Sequence, residues 1–113
     1  MTKKLILSIL VLMLVSFMAF AHPPQKVELL FNKETKVLEI TVVHTVKNIN
    51  THNIDVIIVF VDGEEFKVIN SKVQTNEQKH IVKLEMPNIK SGSIIKVKAK
   101  CNKMGAKTAT IKI

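Results

Sequence analysis

Ile94-Ile95-Lys96-Val97-Lys98-Ala99-Lys100-Cys101 alternates without a break: Ile95, Val97, Ala99 and Cys101 fall on one side, Lys96, Lys98 and Lys100 on the other. A period of two sends successive side chains to opposite faces of a pleated strand. The stretch therefore reads as a half-buried β-strand with Cys101 at its inward-facing end. The same period runs outward from it. In Val37–Thr45, Leu38, Ile40, Val42 and His44 share one face and Glu39 and Thr41 the other. Ile54–Val61 is a nearly continuous apolar run, read as the most buried strand, and Asp62-Gly63 behind it is a strong hairpin signal leading into Glu65–Asn70. Lys26–Phe31, His80–Met86 and Ala106–Ile113 complete seven short strands separated by polar turns. No window carries a helical period. The expected fold is all-β, an immunoglobulin-like sandwich of about seven strands.

The chain ahead of the first strand reads differently. Lys3 and Lys4 form a short basic start, Leu5 to Phe20 is apolar apart from Ser8 and Ser16, and Ala19-Phe20-Ala21 precedes His22-Pro23-Pro24. A basic n-region, an apolar h-region and an A-x-A site make a secretory signal peptide, with cleavage expected after Ala21. The apolar run is shorter than the ~20 residues that span a bilayer, so an uncleaved anchor is the weaker reading. No Cys follows the h-region, which excludes a lipoprotein anchor. The expectation is a signal peptide over 1–21, one domain over 22–113, a periplasmic or secreted location and no membrane association after cleavage.

Of the 113 residues, 17 are basic and 9 acidic, for a net charge of +8. Every basic residue is Lys, and Trp and Tyr are absent. Without guanidinium forks or stacking platforms, nucleic-acid binding is excluded as a function, and the lysines read as a solvated surface suited to an acidic partner. Cys101 is the single cysteine and cannot form an internal disulfide. In an oxidising compartment such a thiol needs burial, a partner chain or a metal.

His22, His44, His52 and His80 all lie in the expected mature domain. His44 and Cys101 end strands on their inward registers, and His52 sits in the loop between the second and third strands. Loops at one end of a sandwich converge, so His44, His52 and Cys101 can share a site. Imidazole with thiolate selects iron, copper or zinc over calcium or magnesium. Taken singly, His44 reads as a packed strand-end residue. His80, on the face of Val82, Leu84 and Met86, reads as a core or strand-end histidine, and Met86 and Met104 read as packing residues. No Ser-His-Asp arrangement, carboxylate pair or phosphate-cradling glycine loop is present, so no catalytic residue is assigned.

The segment from His44-Thr45-Val46 through His52-Asn53-Ile54 to Asp62-Gly63 resembles the central segment of the superoxide reductases, the iron domain of desulfoferrodoxin and neelaredoxin. Cys101-Asn102-Lys103-Met104-Gly105 resembles that family's closing Cys-Asn-x-His-Gly, and His22-Pro23-Pro24 resembles its first ligand in a His-x-Pro setting. The resemblance implies an immunoglobulin-like fold and a non-haem iron held by His22, His44, His52 and Cys101. It also implies reduction of superoxide to peroxide with an electron from an external donor. Met104 stands where the family has its remaining histidine, the interval from His44 to His52 is longer than usual, and Ala21 precedes His22 where the family has a Glu-Lys pair.

Two other readings remain. Asn102-Lys103-Met104-Gly105 and the strand after it also resemble the end of the smaller subunit of the sulfur-oxidation carrier pair, which implies a non-catalytic interaction subunit with a protein partner and no metal. Cleavage after Ala21 would give His22 a free α-amine, and with Cys101 and Met104 as soft donors the chain would suit copper.

Overall fold

The computed structural model describes residues 22–113, and the signal-peptide expectation for 1–21 lies outside them. Seven strands form two antiparallel sheets: β1 (Lys26–Asn32), β2 (Val37–Val43), β3 (Ile54–Val61), β4 (Glu64–Asn70), β5 (Lys79–Glu85), β6 (Ile94–Cys101) and β7 (Ala106–Lys112). One sheet has the order β1-β2-β5 and the other β4-β3-β6-β7. The chain thus crosses between sheets after β2, β4 and β5. This is the expected immunoglobulin-like sandwich, with no helix among the described residues.

The core is the set of inward registers. Leu38, Ile40 and Val42 of β2 face Ile57 and Val59 of β3 and Ile95, Val97 and Ala99 of β6, with Val27 and Met86 at the margins. All but Val27 and Met86 are at most 1% exposed, and each such aliphatic side chain contributes roughly 1.5–3 kcal/mol by leaving water. Turns fix the register. Asp62 (φ 49°) and Gly63 (φ 85°) are both left-handed, the type I′ geometry that matches strand twist. At the β1–β2 turn, Asn32 Oδ1 accepts from the amides of Glu34 and Thr35.

Two strands refine the sequence reading. β3 has no exposed residue but is fully buried on one face only: Val56, Ile58 and Phe60 are half-buried, because they lie on the outer face of the sheet, which no described element covers. A bulge between Ile54 and Val56 shifts the alternation, so Ile54 and Ile57 both face inward. β2 ends at Val43 rather than Thr45. The His44 amide leaves the ladder and donates to Gln78 O at 2.9 Å, and the Val46 amide donates to Glu77 O. His44 nevertheless keeps its inward register and is fully buried.

The ends of β2 and β6 and the start of β3 meet at one end of the sandwich. The Asp62-Gly63 hairpin and the β1–β2 turn lie at the other.

Candidate metal centre

Each element at this end brings one side chain. His44 follows β2, His52 closes the loop before β3, and Cys101 ends β6, paired in register with Ile54. The donor atoms of His44, His52 and Cys101 all lie within 4.8 Å of one another, and all three residues are buried. Bonds of about 2.0–2.3 Å to a single ion put two donors roughly 3.3–4.5 Å apart. Three donors around one ion lie at most about 4 Å from one another, so closure of the widest pair by roughly an ångström would seat an ion among them.

Hydrogen bonding settles which nitrogen of His44 is available. Gln74, 1% exposed, donates from Nε2 to two carbonyls, His44 O at 2.7 Å and Asn76 O at 2.8 Å. Carbonyls only accept, so the amide orientation is fixed and Oε1 is the atom 2.8 Å from His44 Nδ1. Oε1 also only accepts. His44 Nδ1 therefore carries the hydrogen, and Nε2 presents a lone pair. That Nε2 is buried without a hydrogen-bond partner, and so is Nε2 of His52. Two orphaned imidazole nitrogens beside a thiol are costly as they stand, about 1–3 kcal/mol each, and are what a metal satisfies. Burial lowers the pKa of both rings; at His44 the Gln74 bond opposes this, and at His52 the nearby His44, His22 and Lys103 charges add to it. Both histidines are thus held in the neutral form that ligates.

The loop that carries His52 is built on Asn48. Its carbonyl accepts from the His52 amide at 2.9 Å, and its Oδ1 from the Asn50 amide at 3.0 Å. Asn102, next to Cys101, ties this loop to the β6–β7 turn. Its Oδ1 accepts from the Asn53 amide, its Nδ2 donates to Thr51 O, and its own amide donates to Asn53 O. The Cys101 sulfur accepts from the Lys103 amide at 3.4 Å and donates to Asn102 Oδ1 at 3.9 Å.

His22 arrives from the N-terminal side. The Gln25 amide donates to Val43 O, and Gln25 Oε1 accepts from the Thr45 amide. Pro23 lies against Gly105, where a Cβ would come within 2.6 Å of Pro23 Cβ; Gly105 also has φ +74°. Glycine is required there on both counts, and the close approach sets the His22 ring 5.4 Å from that of His44 and 5.6 Å from that of His52, centroid to centroid. His22 Nδ1 donates to Pro23 O at 3.1 Å, which leaves its Nε2 free to accept.

The structure thus gathers the three inward residues named from the sequence and places His22 beside them, outside the closest trio. Met104 is 41% exposed. Lys103, not Met104, lines the cleft of about 360 Å³ that opens over His22 and His52, together with Thr45, Lys47 and Asn48. His80 is a structural residue: its Nδ1 accepts from the Thr75 amide and its Nε2 bonds Ser71 Oγ. Gln74 was not a candidate from sequence. It sits in an unpatterned polar stretch, and nothing there marks a buried amide. Comparisons with family models, with curated proteins and with solved structures found no match.

Proposed function

We propose that this protein is an exported metalloprotein in which His44, His52 and Cys101, completed by His22, hold a redox-active transition metal. The observation that carries the reading is the convergence of donor atoms of His44, His52 and Cys101 within 4.8 Å of one another, together with the buried, unpartnered Nε2 atoms of both histidines. The first candidate for the ion is non-haem iron, in keeping with the superoxide-reductase resemblance of the segments around His44 and Cys101. Ferrous iron there would supply one electron to superoxide, which leaves as hydrogen peroxide after taking up two protons, and an external donor would restore it. The chain's own residues act around that chemistry. Gln74 keeps His44 in its ligating tautomer, the Lys103 amide donates to the Cys101 sulfur, and Lys47 and Lys103 make the cleft attractive to a small anion.

One observation favours a second reading. With Met104 exposed, the chain offers three imidazoles and one thiolate, a set that suits four-coordinate Cu(I) as well as iron. The test is metal analysis of protein comprising residues 22–113, purified anaerobically without a His tag. Titration with Fe(II) and Cu(I) follows, with absorption spectra and a superoxide-consumption assay. Tight iron binding, a visible thiolate-to-iron band and peroxide production support the iron reading. Tight Cu(I) binding without superoxide turnover supports copper. If neither ion binds and Cys101→Ser leaves stability unchanged, the metal reading is wrong and a metal-free interaction subunit stands in its place.

A further inference from the structure

The net positive charge of residues 22–113 comes from one part of the chain. Seven lysines and no Asp or Glu lie between Met86 and Ile113; all nine acidic residues come earlier, the last being Glu85. That stretch is the β6–β7 hairpin and its approach, so the sandwich has one basic face.

The registers show how the face is laid out. Lys96, Lys98 and Lys100 form a lane along the outer side of β6, spaced roughly 7 Å apart by the strand rise. Across one flank they pair with Phe60, Ile58 and Val56 of β3, and across the other with Thr110, Thr108 and Ala106 of β7. No lysine of the lane has a carboxylate opposite it. Cross-strand opposite charges stabilise sheets and like charges in a row do not, so the arrangement costs the fold something. The Lys26–Glu28 ion pair lies elsewhere on the surface. Lys96 instead lies over the Phe60 ring, 5.7 Å from its centroid. The neighbouring lanes suit docking. Thr108, Thr110 and Ala106 are short and leave the ammonium groups unscreened, while Val56, Ile58 and Phe60 form a half-buried apolar floor level with the sheet.

We propose that this outer face of the β4-β3-β6-β7 sheet docks an acidic protein. Its carboxylates would meet the Lys96–Lys98–Lys100 lane and its apolar centre would meet Val56, Ile58 and Phe60. A folded acidic surface fits better than the other polyanions. Val56, Ile58 and Phe60 are half-buried, and the exposed apolar residues at the margins of the face, Val68 and Ile94, are single aliphatic side chains rather than the continuous apolar stripe of a membrane-surface element; there is also no Arg, Trp or Tyr for nucleic acid. β6 ends at Cys101, so a partner seated here would lie beside the metal centre. The docking argument itself holds whichever ion, or none, is bound.

The test is photo-crosslinking from the full chain in the cell that produces it, with p-benzoylphenylalanine at Thr108 on this face and, in a second variant, at Glu39 of β2 on the other sheet. Captured protein is identified by mass, purified and titrated against this protein at low and physiological salt. The expected result is a protein of net negative charge captured from Thr108 and not from Glu39. Its affinity should fall with salt and fall at least tenfold when Lys96, Lys98 and Lys100 are all changed to Gln. The milder Gln variant avoids charge reversal, and its unfolding midpoint verifies that it is folded. No adduct, an adduct to lipid or nucleic acid, equal capture from both faces, or binding indifferent to the three lysines would overturn the proposal.

Discussion

Gln74 and His44 lie thirty positions apart in sequence and form a closed pair, His44 Nδ1–H donating to Gln74 Oε1 at 2.8 Å and Gln74 Nε2 donating back to His44 O at 2.7 Å. The pair determines the chemistry of the centre, because it aims the His44 lone pair at His52 and Cys101. Gln74→Met keeps the approximate volume and removes all three hydrogen bonds. Two buried carbonyls and one ring N–H lose their partner, so a loss of about 2–4 kcal/mol is expected in urea unfolding. Metal affinity should fall about 10–100-fold, as for other groups that orient a ligating histidine. Unchanged affinity in a folded variant would mean that His44 is not a ligand.

Gly105 governs His22 through Pro23. Gly105→Ala combines a left-handed φ with a Cβ placed 2.6 Å from Pro23 Cβ, whereas Gly63→Ala meets the same backbone penalty with open space around it. Both variants should lose about 1–2 kcal/mol from the backbone. Gly105→Ala alone should also displace the N-terminal segment and weaken metal binding to the level of His22→Ala. Equal behaviour of the two glycine variants in metal titration would remove His22 from the site.

Acid should destabilise the metal-free protein through its buried histidines. His44, His52 and His80 are all held below the usual imidazole pKa, burial being the largest cause in each. The unfolded chain takes up protons near pH 6.5 and the folded chain only at lower pH, so the unfolded state binds more protons in that interval. Stability is therefore full above about pH 6.5 and declines as pH falls below it, by at most ~1.4 kcal/mol per pH unit per histidine, before levelling off beneath the folded-state values. Urea midpoints from pH 8 to 5 provide the measurement. A flat profile would show that these histidines are not buried as described.

The fold was legible because its periodicity is local. Ile95, Val97, Ala99 and Cys101 announce a strand without reference to anything else, and the Asp62-Gly63 turn announces its own hairpin. The apolar run of β3 did not say that a second layer covers only one of its faces; Val56, Ile58 and Phe60 look outward beside the lysine lane. The registers of His44 and Cys101, with the loop position of His52, placed three donors at one end. The parts that orient them, Gln74 and the Asn53–Asn102 exchange, join residues far apart in sequence through single side-chain amides, and no period marks them. Met104 shows the opposite limit: motif position alone did not say that Lys103 would line the cleft and Met104 would stand exposed.

Asn102 holds His52 and Cys101 in one frame, and two substitutions separate its roles. Asn102→Ala removes three side-chain bonds, leaving the Asn53 amide, Thr51 O and the Cys101 thiol without these partners. The backbone bond from the Asn102 amide to Asn53 O remains, so the turn is retained while the Asn48–Asn53 loop loses two of its ties. The expected cost is about 1–3 kcal/mol, with metal affinity lowered because His52 no longer waits at a fixed distance from the Cys101 sulfur. Asn102→Asp preserves the acceptor for the Asn53 amide and loses only the donor to Thr51 O. It also brings a negative charge next to Cys101, which disfavours the thiolate. Asn102→Asp should therefore recover part of the stability but not the affinity. If Asn102→Ala binds metal as tightly as the parent, the two loops are held together by packing alone, and the amide exchange between Asn53 and Asn102 has no part in forming the centre.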